Sequence, residues 1–241
     1  MNKLTDRLQL IADQIEIGET MADIGTDHGF LPLYLWEKGV SPAVIMCDIS
    51  EPSLAKAKAA AGAYQFGNEL DFRAGDGLKV INTGEVDDIV IAGMGGLLIR
   101  DILAADFAKT CSFKKYVFQP RNNSGQLRYW LTLKGFNITS NLLVREGKFI
   151  CEIIVAIPPK CSENADLSPS EGLPEAASAC WDYPEDMADA NPELAREYAL
   201  VKLGIEEKIR DGILKSCNIN DADIHTVEKR IEYFKEVANE V

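Results

Sequence analysis

The stretch Ala22-Asp23-Ile24-Gly25-Thr26-Asp27-His28-Gly29 decides how the rest of the chain is read. A short apolar run at 20–24 leads into it, and a helical pattern at 31–38 follows. Glycines at 25 and 29 let the backbone turn sharply and let a ligand approach the main chain. A strand, a glycine turn and a helix start in that order mark the place where open α/β sheets bind ligands, beyond the carboxyl end of a central strand. The spacing is not G-x-G-x-x-G, so the close glycine pair that admits a pyrophosphate is missing. Asp23 would also repel a pyrophosphate.

Short β-branched runs at 20–24, 43–48, 71–74, 88–92 and 116–119 read as strands. Helical patterns fall between them at 31–38, 52–66, 97–107 and 124–134. Leu4, Leu8, Ile11 and Ile15 recur at intervals of 4, 3 and 4 and predict an opening helix. Continuous apolar strands separated by helices indicate a parallel sheet covered on both faces. Two last strands, 138–144 and 149–157, have no helix between them and read as a hairpin around Glu146-Gly147. Five βα steps and then a hairpin give an α/β fold of the class I S-adenosylmethionine-dependent methyltransferase (Rossmann-like) type. After Pro158-Pro159 the pattern changes. Residues 160–191, interrupted by Pro169, Pro174 and Pro184, read as a linker with a short helix near 175–180. Leu194, Tyr198, Val201 and Ile205, then Ile224, Val227, Ile231, Phe234 and Ala238, predict a C-terminal α-helical hairpin turning near 216–220. The expected division is a methyltransferase domain at 1–159 and a linker with a coiled-coil-like helical domain at 160–241.

Acidic residues recur at the strand ends. Asp48 closes the second strand, 25 residues after Asp23, where a carboxylate can accept ribose hydroxyl hydrogen bonds; Ile49 follows it. Arg73-Ala-Gly75-Asp76-Gly77 closes the third, with Asp76 placed to accept from an adenine amino group and the glycines permitting close packing on the ring. Three acidic strand ends in succession point to S-adenosylmethionine as cofactor, with Asp23 suiting its cationic amino-acid end. The fourth strand runs into Gly93-Met94-Gly95-Gly96, which leaves room for backbone contact with the donor or the target ring. The Asp/Asn-Pro-Pro-aromatic clamp of enzymes that methylate exocyclic amines is missing there.

Composition narrows the classes. Formal net charge is −13, which argues against indiscriminate binding to nucleic acid or anionic membrane. The charge is uneven: residues 1–155 hold 16 Lys/Arg against 19 Asp/Glu, whereas 156–241 hold 9 against 19. Residues 100–148 reverse the balance with nine basic against three acidic residues. They supply the candidate phosphate-facing surface through Arg100, Lys109, Lys114, Lys115, Arg128 and Lys134. Six scattered cysteines without a C-x-x-C pair, and two histidines, argue against a metal site. No run approaches the ~20 apolar residues of a membrane span, and the N-terminus lacks the apolar core of a signal peptide. A cytoplasmic protein is expected.

The segments Thr26-Asp-His-Gly-Phe-Leu-Pro32, Ile91-Ala-Gly-Met-Gly-Gly96, Gln119-Pro120 and Leu127-Arg128-Tyr-Trp130-Leu131 together resemble the bacterial tRNA (adenine-22) N1-methyltransferases. The resemblance covers 1–157 and implies tRNA as partner and N1 of an adenine as methyl acceptor; a monomer or weak dimer is expected. It implies Asp27 and His28 as candidate catalytic residues. The donor would be held by Asp23, Gly25, Asp27, Gly29, Asp48, Ile49, Gly75, Asp76, Gly77, Gly93 and Met94. Gln119, Arg121, Asn122 and Arg128 would contact RNA, with Lys202, Lys208, Lys229 and Arg230 of the hairpin as further cations. The chain departs from the family pattern at Arg121 and at Cys151-Glu152. Other readings stay open at this point: a turn-capping role for His28, plain loop structure at 119–122, a dimerising or packing hairpin, a methyltransferase of a small metabolite, and a non-catalytic donor-binding protein. A dehydrogenase is disfavoured by the missing G-x-G-x-x-G.

Overall fold

A computed structural model describes residues 3–62, 69–160, 173–175, 177–216 and 220–240. Helix α1 spans Asp6–Ala12, started by Thr5, whose hydroxyl accepts from the Leu8 amide. There follow β1 Met21–Ile24, α2 Phe30–Glu37, β2 Val44–Asp48, α3 Glu51–Ala61 and β3 Leu70–Ala74. Then come β4 Asp88–Met94, α4 Gly96–Ala104, α5 Phe107–Thr110, β5 Lys115–Pro120 and α6 Ser124–Leu133. The strands β6 Asn137–Glu146 and β7 Phe149–Ile157 form the expected hairpin, and α7 Pro192–Leu214 and α8 Asp221–Glu240 close the chain.

The seven strands lie in the order β3-β2-β1-β4-β5-β7-β6. Strands β1 to β5 pair in parallel, and β7 runs antiparallel to both β5 and β6. This is the expected class I arrangement. Side-chain alternation divides the core between the two faces. Ala22, Ile24, Ile89, Ile91, Tyr116 and Phe118 pack with Ile99 and Leu103 of α4 and Leu127 and Leu131 of α6. Met21, Val90 and Val117 pack with Ile11, Leu31, Leu35 and Ala57 from α1, α2 and α3. Strand order reverses between β1 and β4, so the carboxyl ends of these two strands open the crevice that receives ligands in such sheets.

Several boundaries differ from expectation for local reasons. The helix expected at 97–107 is two helices, because Asp106 turns the chain and its carboxylate accepts from the Lys109 amide to start α5. The helix expected over 52–66 ends at Ala61 in α3, and its expected tail at 63–66 lies outside the described residues. The expected turn near 216–220 falls partly outside them too. The region expected to be a linker is packed where it is described. Single 3₁₀ turns at Ala179–Trp181 and Glu185–Ala188 replace the expected short helix, and Ala179, Tyr183 and Met187 are buried with Leu194, Ala195 and Tyr198 of α7, Phe234 of α8 and Leu143 of β6. Single turns have no room for a periodic apolar stripe, so the sequence shows none.

Charged groups also hold α7 to the sheet and α8 to α7. Arg128 is 1% exposed, and its guanidinium pairs with Glu152 of β7 at 2.7 Å, donates to Asn141 at 2.7 Å and reaches the Trp181 carbonyl at 3.0 Å. Glu152 accepts from Ser124 at 2.7 Å and from the Tyr198 hydroxyl. Burial alone would raise the Glu152 carboxyl, but Arg128, Lys202 and these hydroxyls hold it below the usual carboxylate range. Arg230 joins Asp182 and Glu206, both at 2.7 Å. The expectation that Arg128 faces RNA phosphate is therefore corrected: Arg128 lies on the core side of α6, between buried Leu127 and Leu131. Arg128→Ala should leave Glu152 buried without its guanidinium, at a cost of about 3–5 kcal/mol. Thermal unfolding checks this, and an unchanged melting temperature would refute it.

Candidate functional site

The β1 carboxyl end places Asp23 partly buried, with its carboxylate accepting from the Thr26 hydroxyl. Thr26 is 1% exposed and its amide donates to the Cys47 carbonyl at 2.9 Å, so the turn is fixed against β2. Burial pushes the Asp23 carboxyl up to about 6, and the neighbouring charge of Asp48 adds to the rise, while the Thr26 hydroxyl and Arg7 oppose it. A carboxylate crowded by another acid and with no ion pair among the described residues is a seat for a positively charged ligand group. Asp48 ends β2, partly buried, and its Oδ1 accepts from the Ser50 amide at 2.6 Å. Ile49 beside it is 77% exposed, an apolar side chain turned out at the sheet edge.

Glycines close the floor. Gly25 has φ +86°, and a β-carbon there would lie 2.2 Å from Cε of Met94. Gly29, at φ +69°, starts α2. The Gly75 amide donates to the Asp48 carbonyl at 3.0 Å and brings the β3 loop to β2. Asp76 is exposed and pairs with Lys79 at 2.6 Å; with Gly77 it borders a cavity of about 390 Å³ also walled by Leu98 and Ile102. Gly93 takes φ +78° after the Ala92 pairing of β4, where the register with β5 shifts.

Asp27 and His28 stand at the mouth, both exposed. Asp27 Oδ1 pairs with Lys56 at 2.7 Å and Oδ2 with His28 Nδ1 at 2.8 Å. The Lys56 hydrogen bond, with the His28 contacts, holds the Asp27 carboxyl below its usual range, so it is ionised at neutral pH. The His28 ring lies 5.1 Å from the Phe30 ring at an interplanar angle of 9°.

One strand further on, a second cavity of about 490 Å³ is lined by Arg7, Gly93, Gln119, Arg121, Glu146 and Phe149, with Pro120, Ile150, Cys151 and Glu152. Gln119 is 5% exposed at the end of β5, and Arg121 and Asn122 are exposed just beyond it. The Arg121 amide donates to the Met94 carbonyl at 2.7 Å and the Gly96 amide to the Asn122 carbonyl at 2.9 Å, which joins the β4 and β5 loops.

The structure thus brings Asp23, Gly25, Asp27, His28, Gly29, Asp48, Ile49, Gly75, Asp76, Gly77, Gly93, Met94, Gln119, Arg121 and Asn122 to one sheet edge; Arg128 is turned into the core. Lys114 and Lys115 belong to the opposite edge, at the start of β5, where Lys114 pairs with Asp87 and Lys115 with Glu19 and Asp88. Lys202 and Arg230 are spent on Asp182 within the helical region. Sequence reading missed Arg7, Lys56, Phe30 and Glu146. Arg7 carried a signal: at i+3 from Leu4 and i−4 from Ile11 it puts a cation on the apolar face of α1. Among the described residues there is no cluster of three or more metal-ligating side chains, and no helix is long and apolar enough to cross a membrane.

This sheet order and glycine-floored acidic edge define a class I methyltransferase fold, and the chain belongs to the methyltransferase-domain family, whose model matches residues 4–154. Over 154 residues it is 35% identical to the tRNA (adenine(22)-N(1))-methyltransferase of Bacillus subtilis (strain 168), covering 64% of this chain and 65% of that protein, just under two thirds of the relative's length. The crystal structure of the B. subtilis m1A22 tRNA methyltransferase TrmK matches with a TM-score of 0.83 at 28% identity, covering 98% of this chain and 99% of that one. The structure of M. capricolum TrmK, in complex with S-adenosyl-homocysteine, shares the fold with a TM-score of 0.77 at 22% identity, covering 99% of both chains.

Asp23→Asn should separate stability from binding. The Asp23 pKa is raised from 3.8 to about 6, so stability falls as pH rises between those values and the full penalty is present at neutral pH. The neutral variant should gain about 1–2 kcal/mol at neutral pH in thermal unfolding, discounted for partial exposure. For the unsubstituted protein, calorimetry should show affinity for a cationic ligand falling below pH about 6 as Asp23 takes up its proton; an affinity flat across that pH would refute the assignment.

Proposed function

We propose that the protein is an S-adenosylmethionine-dependent tRNA methyltransferase that modifies N1 of an adenine, the adenine at position 22 as in its B. subtilis relative. The observation that carries the reading is the meeting, on one sheet edge, of the acidic seat at Asp23 and Asp48 with the cavity at Gly93 and Gln119. Asp23 would hold the cationic amino-acid end of the donor, Asp48 its ribose, and Asp76 with Ile49 its adenine, over a floor made by Gly25, Gly29, Gly75, Gly77, Gly93 and Met94. The residues fit that group: Asp23 has no ion pair among the described residues, and Gly25 holds φ +86°, a turn that a side chain would strain. When bound, S-adenosylmethionine supplies an electrophilic methyl group on a sulfonium.

The target base would leave its stack and enter the cavity beside Gly93, at a few kcal/mol of unstacking. Neutral adenine N1 carries an in-plane lone pair and needs no prior deprotonation, so the protein acts mainly by positioning. Asp27, kept ionised by Lys56 and His28, offsets positive charge arriving on the base. The Asp27 contact engages His28 Nδ1 and leaves Nε2 to orient the base or accept the amino proton later. Arg121 and Asn122 would meet RNA at the rim. Arg121 is exposed and has no ion pair among the described residues. We place the domain boundary at 159/160, consistent with the family match ending at 154. We also propose a cytoplasmic protein acting as a monomer or weak dimer.

Labelled methyl should pass from S-adenosylmethionine to an unmodified tRNA transcript and map to N1 of one adenine, and a transcript with guanine there should take none. Asp48→Ala should weaken donor binding measured by calorimetry. Donor binding without transfer to any tRNA would favour a small-metabolite acceptor instead.

A further inference from the structure

We propose that Arg7 is a positioning residue that locks the Gln119 amide to read the N6/N7 edge of the target adenine. The inference rests on the tRNA adenine reading above and deepens it.

Arg7 comes from the opening helix α1, 112 positions before Gln119 and 139 before Glu146, and all three line the same cavity of about 490 Å³. Its Nε donates to Glu146 Oε2 at 2.7 Å and its Nη1 to Gln119 Oε1 at 3.2 Å. Gln119 Nε2 donates to the Pro120 carbonyl at 3.2 Å. Burial alone would raise the Glu146 carboxyl, but hydrogen bonds with Thr5 and Arg7 hold it below its usual range, so the partner of Arg7 is charged. Rotating the Gln119 amide by a half-turn would set its NH₂ against the guanidinium and its oxygen against the Pro120 carbonyl. Both contacts would be repulsive, so one orientation is fixed.

In that orientation the amide keeps one free lone pair on oxygen and one free N–H. An acceptor beside a donor complements the N6 amino group and N7 of adenine, the pairing Gln makes with adenine in nucleic-acid recognition. Guanine offers acceptors at both positions, so its O6 would face the Gln119 oxygen. Reading the N6/N7 edge leaves N1, which lies next to C6 on the Watson–Crick edge, free for the methyl. Without the guanidinium the amide is free to flip, and adenine loses its advantage.

The test compares kcat/KM on two tRNA transcripts, one with adenine and one with 7-deazaadenine at the target position, which removes only the N7 acceptor. The wild-type enzyme should lose about tenfold on 7-deazaadenine, the scale of one hydrogen bond in a dry site. Gln119→Ala should be slow on both and insensitive to the change. Arg7→Met, which keeps the aliphatic stem, should lose most of the sensitivity while still binding S-adenosylmethionine. Glu146→Ala, which frees Arg7 without touching Gln119, should reproduce that loss should Arg7→Met fold poorly. Full tenfold sensitivity in both variants would overturn the lock, as would a wild type indifferent to N7. Loss of donor affinity in Arg7→Met with sensitivity retained would reassign Arg7 to the donor. A wild type that binds the donor but methylates neither transcript overturns the tRNA reading itself, and the base-reading role with it.

Discussion

A β-carbon on Gly96 would sit 2.4 Å from the carbonyl oxygen of Asn123, and one on Gly25 would sit 2.2 Å from Met94 Cε. The loops after β4 and β5 can approach this closely only because Gly96 carries no side chain against that backbone, while the Gly25 turn rests on the flexible end of Met94. Their contact is then fixed by backbone hydrogen bonds, Gly96 to Asn122 and Arg121 to Met94. Asn123 accepts φ 53° to make the turn, a conformation that non-glycine residues adopt at some cost. The glycines after β4 thus bring loop backbones together more than they provide looseness. Where Asp23, Met94 and Gln119 stand relative to one another follows from that close approach, and so does the distance between the donor seat and the second cavity.

Two carboxyls of the central strands show how the same force is put to different uses. Burial is the largest cause in both cases, raising Asp23 to about 6 and Asp88 to about 8. Asp88 opens β4 at the amino edge, fully buried beside Glu19, with the Lys115 ammonium 3.3 Å away and paired to Glu19 at 2.8 Å. Near neutral pH it stays mostly protonated and the cluster is closed. Asp23 ends β1 at the carboxyl edge, partly open, near the charge of Asp48, with the Thr26 hydroxyl as its hydrogen-bond partner among the described residues. It is mostly ionised at neutral pH and its charge is answered only distantly, by Arg7. The difference lies in access, which places one acid in the architecture and the other in a binding site.

The parallel strands were legible because burial on both faces demands unbroken apolar runs such as Val44-Ile45-Met46-Cys47. The donor-side residues were legible because strand ends and glycine turns are local features. Contacts between distant segments were not. Arg7 and Gln119 are 112 positions apart, and nothing near either one names the other. Arg128 was misread from its charge, although its spacing from Leu127, Leu131 and Ser124 already placed it on the buried face of α6. The packing of residues 177–191 was not legible either: Pro184 interrupts them, and two 3₁₀ turns beside buried Tyr183 and Met187 leave no helical period to detect.

The charge of the C-terminal region takes on a structural meaning in this light. Its sequence is strongly acidic, yet Lys202 and Arg230 are turned inward onto Asp182, Glu152 and Glu206. Those contacts lead back to the site through a short chain of neighbours. Tyr198 of α7 donates to Glu152, Glu152 accepts from Ser124, and Ser124 is the first residue of α6, directly after the Asn123 whose carbonyl meets Gly96. A helical appendage that merely tethered RNA would not need a buried acid shared with the start of α6. The sharing makes the β5 loop, and with it the wall of the second cavity, depend on the docking of α7.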